Sequence, residues 1–199
     1  MRIVLASGSA TRRALLAAAG LAFEVDPADV DEGAIRDALL ARSDAPPPGA
    51  VAEALAEAKA LAVSPRHPGA LVIGADQVLA CEGRLFEKAR SMDEARTVLD
   101  ALRGKTHALH SAVVLCRDGE ILWRHTESAQ LTMRPFSEAA REAYLARVGD
   151  LALASVGAYQ IEGPALQLFE SVDGAYTTIL GLPLLPLLGA LRREGALTA

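Results

Sequence analysis

The residues best placed to do chemistry open the chain. Ser7-Gly8-Ser9 is followed at once by Arg12 and Arg13, so two hydroxyls and two guanidiniums fall within seven residues. The stretch Ile3 to Ala6 before them is apolar and β-prone, and Leu15, Leu16 and Ala19 after them recur at helical spacing until Gly20. A strand, a turn and a helix start in that order present hydroxyls and free backbone N–H groups to an anion such as phosphate. The first turn of a helix carries partial positive charge and ordinarily favours Asp or Glu. Two arginines there suit a bound phosphate, or else a capped surface helix whose arginines are solvated.

Three further groups stand out. Asp76 and Gln77 break the apolar run Ala70 to Ala80, and a carboxylate delivered on an apolar strand needs a partner or a task. Asp76 could orient a metal, take a proton from water, or cap a turn. Asp26, Asp29, Asp31 and Glu32 form an acidic segment, either a solvated loop or a place for a divalent cation, which favours carboxylate and phosphate oxygens. Lys59 lies on the Ala-rich stretch 51–63, solvated or serving as a point charge for phosphate. In Ser155 to Gly163, Tyr159 could stack on a base or sit in the core, and Gln160 or Glu162 could read a base edge.

The intervening elements are those needed to hold these groups. Helices are expected to about Arg42, over Val51 to Val63, after the Ser91-Met92-Asp93-Glu94 capping box, and from about Ser137 to Arg147. The stretch Asp44 to Gly49 reads as a loop. Glu82-Gly83-Arg84 and Asp118-Gly119 read as hairpin turns, which makes part of the sheet antiparallel. His107 and His110 lack ligand spacing for zinc, and no further Cys or His cluster completes a site.

With 199 residues, 51% hydrophobic and 23% charged, the chain can bury a sizeable core. A net charge of -5 argues against broad nucleic-acid binding. Two cysteines without CxxC spacing and no signal-peptide pattern point to a cytoplasmic protein. The uncharged run Ile179 to Leu191 is short for a membrane span and holds two prolines, so it reads as core. Walker, Rossmann, Gly-x-Ser-x-Gly and His-Glu-x-x-His motifs are absent.

Taken in order, these stretches resemble the Maf family of nucleoside-triphosphate pyrophosphatases. The opening is similar to the family's Leu-Ala-Ser-x-Ser-Pro-Arg-Arg, with Ser7, Ser9, Arg12 and Arg13 matching by type. Val30-Asp31-Glu32 resembles its acidic segment, Leu55 to Ala60 its Leu-Ala-x-x-Lys-Ala helix, and Gly74-Ala75-Asp76 its Gly-Ala/Ser-Asp. Lys88 sits where the family has a Gly-Lys-Pro lysine, and Gly157 to Gly163 resembles the closing Gly-Ala-Tyr-x-Ile-Gln-Gly loop. Departures are Ala10 for the usual proline, Thr11 where relatives carry Arg or Trp, and Ala89 after Lys88.

The resemblance implies a single domain over residues 1–199 with an α/β fold similar to inosine-triphosphate pyrophosphatases. Its sheet would be mixed and partly antiparallel, with helices around it and two lobes about a nucleotide cleft. It implies hydrolysis of a nucleoside triphosphate to monophosphate and pyrophosphate with Mg²⁺ or Mn²⁺. Asp76 would accept the proton of the attacking water, and Glu32 with Asp76 would hold metal. Ser7, Ser9, Arg12, Arg13, Lys59 and Lys88 would bind phosphate, and Thr11, Gln77 and Glu162 would set specificity. Gln77 and Glu162 look like the branch acting on 7-methyl-GTP, whereas Thr11 fits neither that branch nor the dTTP/UTP branch. A homodimer is implied, with no nucleic-acid or membrane partner. The alternative is a non-catalytic nucleotide sensor or cell-division regulator.

Overall fold

The computed structural model describes residues 1–42, 44 and 46–198. In chain order the elements begin with β1 (Ile3–Leu5), α1 (Ala10–Ala18), β2 (Glu24–Val25), α2 (Glu32–Leu40) and α3 (Pro48–Val63). Next come β3 (Leu71–Cys81), β4 (Arg84–Phe86), α4 (Met92–Leu102), β5 (Thr106–Arg117) and β6 (Glu120–Met133). The chain closes with α5 (Glu138–Val148), β7 (Phe169–Asp173), α6 (Tyr176–Ile179) and α7 (Leu184–Arg193). The fold is mixed α/β. Of the loop expected over 44–49, residue 45 lies outside the described residues, and α3 already begins at Pro48, which suits the first helical position. Two compact units form, one from Met1–Gln77, His110–Glu127 and Ala175–Ala199, the other from Val78–Leu109 and Ser128–Gly174.

In the first unit the strand order is β2-β1-β3-β5-β6. β1 runs parallel to both neighbours, with Val4 opposite Glu24 and Ile3 opposite Leu71. All three residues of β1 are buried, as the continuous apolar run requires of a strand covered on both faces. Leu5, Leu16, Ile73, Leu115, Leu187 and Leu191 belong to one core, so most of the run Ile179 to Leu191 is interior packing, with Leu185 exposed. Among the described residues no helix is long and apolar enough to cross a membrane.

Helix α3 buries Val51, Leu55, Ala56, Lys59, Ala60 and Val63, a stripe at helical spacing with a lysine in its middle. Gly74 on β3 explains how that stripe docks. A Cβ there would lie 2.1 Å from the Ala56 carbonyl oxygen and 2.8 Å from the Ala60 Cβ. Only a glycine lets the helix backbone rest on the strand at this point.

The second unit has the order β3-β5-β6-β7, with β4 paired to β3. β3 and β4 are antiparallel, with Cys81 opposite Arg84, and Glu82 and Gly83 at the turn have φ of 50° and 77°. Two left-handed residues are what a two-residue hairpin of matching twist demands. Ser91 caps α4 by accepting from the Glu94 backbone N–H at 3.2 Å. The Glu94 carboxylate accepts from the Arg90 N–H at 2.8 Å, one residue before the usual partner in a capping box. Leu99, Leu102, Leu109, Leu131, Met133 and Leu145 are fully buried in this unit.

Candidate functional site

The close approach at Gly74 brings Lys59 from α3 onto Asp76, two residues further along β3. Lys59 Nζ donates to Asp76 Oδ1 at 2.5 Å, and both side chains are buried. Glu32, the first residue of α2, reaches the same ammonium at 2.8 Å while remaining half exposed. Asp31 holds that helix end by accepting from the Ala34 N–H at 2.9 Å. Two carboxylates on one buried ammonium form a charged cluster, and charge is costly to bury unless paired.

Arg12, expected to contact phosphate, is engaged within the protein through Nε and Nη1. Its side chain is buried, and Nε donates to the Gly181 carbonyl at 2.8 Å. Nη1 donates to Ser7 Oγ at 3.1 Å and to the carbonyl of Ala75, the residue before Asp76, at 2.9 Å. Burial lowers its pKa, opposed by the charges of Asp76 and Glu32. Arg12 is therefore a brace linking the Ser7 loop, β3 and Gly181, two residues beyond α6, because a buried guanidinium must satisfy its fork of donors. Arg13 next to it is exposed and not so engaged.

Ser7 Oγ accepts from the Ser9 N–H at 3.3 Å as well as from Arg12. Ser9 caps α1 by accepting from the Arg12 backbone N–H at 3.3 Å. Among the described residues, both hydroxyl oxygens act as acceptors in these bonds. Thr11 is partly exposed in the first turn of α1.

Gln77 is tied down as firmly as Arg12. Its amide nitrogen lies 2.9 Å from Ser111 Oγ, 3.1 Å from the Thr178 carbonyl and 3.0 Å from the Ile179 carbonyl. Ser111 Oγ also donates to the Thr178 carbonyl at 2.7 Å, and Thr178 Oγ1 donates to Glu127 Oε2. Ser111, Thr178 and Gly181 were not legible as site supports, since nothing local marks them as sequence partners of residues 77 and 12.

The acidic segment divides its work. Asp26 accepts from Arg66 Nε at 2.9 Å and pairs with His67 Nε2 at 2.8 Å. These bonds hold the Asp26 carboxyl down at about 2. Only Glu32 of the segment joins the Lys59 cluster.

In the second unit Lys88 lies in an isolated antiparallel bridge with Val156. Glu162 is exposed. Tyr159 is in the core, its hydroxyl 2.7 Å from His107 Nε2 and its ring edge-on to Phe169 at 4.9 Å. A buried ring so packed is unavailable for stacking on a base. Gly157, at φ 83°, is required by the same packing, because a Cβ would lie 2.5 Å from the Tyr159 ring.

The residues that could hold a divalent cation are the two carboxylates now paired with the Lys59 ammonium. Glu32 and Asp76 bring carboxylate oxygens to one point, and the acidic segment supplies no third. Among the described residues no group of three or more His, Cys, Asp or Glu converges. Two carboxylates, completed by substrate oxygens and water, match the way Mg²⁺ is commonly held.

Comparison with known proteins places the chain in a family. Residues 2–194 match the family model described as Maf-like protein. The chain is 55% identical to a 7-methyl-GTP pyrophosphatase of Brucella suis biovar 1 over 194 residues, covering 98% of this chain and 96% of that one. It is 54% identical to a nucleoside triphosphate pyrophosphatase of Paramagnetospirillum magneticum, covering 98% and 99%. A 7-methyl-GTP pyrophosphatase of Rhizobium etli is 51% identical, with 98% of each chain covered. With a family model spanning almost its whole length and relatives of its own size at half identity, the chain belongs to the Maf-like protein family.

Proposed function

We propose that the protein hydrolyses the α-β phosphoanhydride bond of a nucleoside triphosphate, releasing monophosphate and pyrophosphate, with a guanine-type triphosphate such as 7-methyl-GTP as substrate. The observation that carries this reading is the buried Lys59-Asp76 pair joined by half-exposed Glu32, in a chain whose relatives at 51–55% identity carry those activities in their names.

The oxygen of a water forms the new bond to phosphorus, the bond to the bridging oxygen breaks, and pyrophosphate leaves. Asp76 takes the water's proton. Its position at the end of a strand's buried run, fixed by Arg12 through Ala75 and by Lys59, keeps it oriented before substrate arrives. Lys59 and Arg13 supply positive charge to the phosphates, and Ser7 and Ser9 donate their hydroxyl protons to phosphate oxygens. Mg²⁺ or Mn²⁺, held by Glu32 and Asp76, would supply charge neutralisation on the phosphates. In phosphoryl transfer such positioning and neutralisation account for most of the catalysis. Arg12 acts through Ser7 and Ala75 as a positioning residue.

For Lys88 as a phosphate contact, and for Thr11, Gln77 and Glu162 as specificity positions, the support is the family resemblance. A carboxylate at 162 suits guanine, whose N1–H and amino group both donate. Cytoplasmic placement and a homodimer belong to the same reading.

The test is pyrophosphate release from a panel of standard and modified nucleoside triphosphates with Mg²⁺ or Mn²⁺, with Asp76→Asn alongside. Release from one guanine-type member, falling at least about 10²-fold in the variant, is expected. No release from any member, with nucleotide binding still measurable by calorimetry, would replace this reading with that of a sensor.

A further inference from the structure

The second unit contains a cavity of about 520 Å³ that none of the proposed site residues lines. It lies within the size range of small-molecule sites, roughly 300–1,000 Å³. Helix α5 gives it one wall through Ala140, Ala143, Tyr144 and Arg147, which share a face at spacings of three and four. The alanines keep that wall low. Phe136 and Pro164 supply apolar and ring surface opposite polar groups. The Tyr144 hydroxyl is already used, donating to the Ala158 carbonyl at 3.0 Å, so its ring is held in place.

Charge distinguishes this cavity. Arg134 and Arg147 both line it, both are exposed, and neither side chain has a hydrogen bond or ion pair to the described residues. No carboxylate lines it, although the chain holds 25 acidic residues against 20 Lys and Arg. Of the two acids of α5, neither Glu138 nor Glu142 lines the cavity, and Glu142 is engaged by Arg96 at 3.0 Å and by Arg141. The backbone at Arg134 is fixed, its N–H donating to the Leu168 carbonyl at 2.8 Å and its carbonyl accepting from Gly104 at 3.2 Å. Arg147 also suits the negative end of α5, which explains its place on the helix but gives no reason for Arg134 to share the cavity.

We propose that this cavity is a second ligand site, for a phosphate anion joined to a planar ring, of the size and chemistry of a nucleoside monophosphate. The two guanidiniums take the phosphate as paired forks, and the ring lies against Phe136 and the α5 wall. This goes beyond the proposed reaction, whose product is one such compound.

The experiment is calorimetry on the full chain with guanosine monophosphate, inorganic phosphate and guanosine as separate probes. Wild type should bind the monophosphate at least tenfold more tightly than either fragment. Two variants, Arg134→Ala/Arg147→Ala and Ala143→Trp, remove the charge and the space respectively. Each should weaken that binding, or abolish one of two sites, by at least tenfold while keeping the wild-type melting temperature. Unchanged stoichiometry and affinity in both variants would overturn the proposal, as would no monophosphate binding by wild type. Phosphate bound as tightly as the monophosphate would also overturn it. Pyrophosphate release by the same three proteins tests the proposed hydrolysis independently, because the variants leave Lys59, Asp76 and Glu32 untouched.

Discussion

Each unit buries a polar cluster about a titratable side chain, Lys59-Asp76-Arg12 in the first and His107-Tyr159 in the second, and the two are built from opposite chemistry. In the first, Lys59 pairs with Asp76 and Glu32, and Arg12 donates to Ser7 and to backbone carbonyls. In the second, His107 and Tyr159 are neutral partners packed against Phe169. Burial pushes the His107 imidazole down to about 4 and the Tyr159 phenol well up, so neither carries charge near neutral pH. A neutral hydrogen-bonded pair sits in a core at modest cost, whereas buried ion pairs are often no more stable than apolar replacements. The charged cluster is thus better explained by a task than by stability, and the neutral one by packing.

Lys59→Met would break this contrast most sharply. It leaves Asp76 and Glu32 as unneutralised neighbours, so stability should fall by about 3–5 kcal/mol and turnover by roughly 10² or more. Urea unfolding and pyrophosphate release measure the two effects. A variant with full turnover would remove the cluster from the mechanism.

Gly74→Ala tests the geometry rather than the charge. Its methyl group overlaps the Ala56 carbonyl, so α3 must lift from β3. We expect a loss of at least about 1–3 kcal/mol together with reduced turnover, because Lys59 moves with the helix. Thermal melts and steady-state kinetics on the same preparation would show whether the two losses travel together.

The neutral cluster predicts a pH effect of its own. The folded His107 pKa of about 4 lies below the unfolded value of 6.5, so the unfolded chain takes up the proton first. Its contribution is fully present above about pH 6.5 and is lost as pH falls towards 4, by up to about 3 kcal/mol. His107→Gln, which keeps a donor to Tyr159 without titrating, should flatten denaturation midpoints measured across that window.

The smallest effect belongs to Asp26. Its carboxyl, held at about 2 chiefly by Arg66 and then by His67, is depressed in the folded chain. The stabilisation is present above the usual carboxylate range and is lost as pH falls towards 2. Arg66→Ala should raise the onset of acid unfolding slightly, and moderate salt should erase the difference, because this pair is exposed.

Much was legible in the sequence because it depends on near neighbours. The strand-turn-helix at Ile3 to Ala18 follows from the apolar run, the Ser9 cap and the helical spacing. The left-handed turns at Glu82-Gly83 and Asp118-Gly119 follow from backbone sterics. Lys59, Asp76 and Glu32 could each be singled out by residue type, and family motifs ranked them together. Tyr159 remained open between core and ligand, since a tyrosine between glycines suits either.

The sequence by itself thus determined the elements, the candidate chemistry and the family, because periodicity, turn chemistry and motif order act over short spans of chain. Tertiary structure alone decided which donors are spent and which are free. Arg12 is used on a carbonyl 169 residues away, and Gln77 on carbonyls 101 and 102 residues away. Such pairings depend on which strands and helices come to rest side by side. At Gly74, the absence of a single methyl group sets that distance.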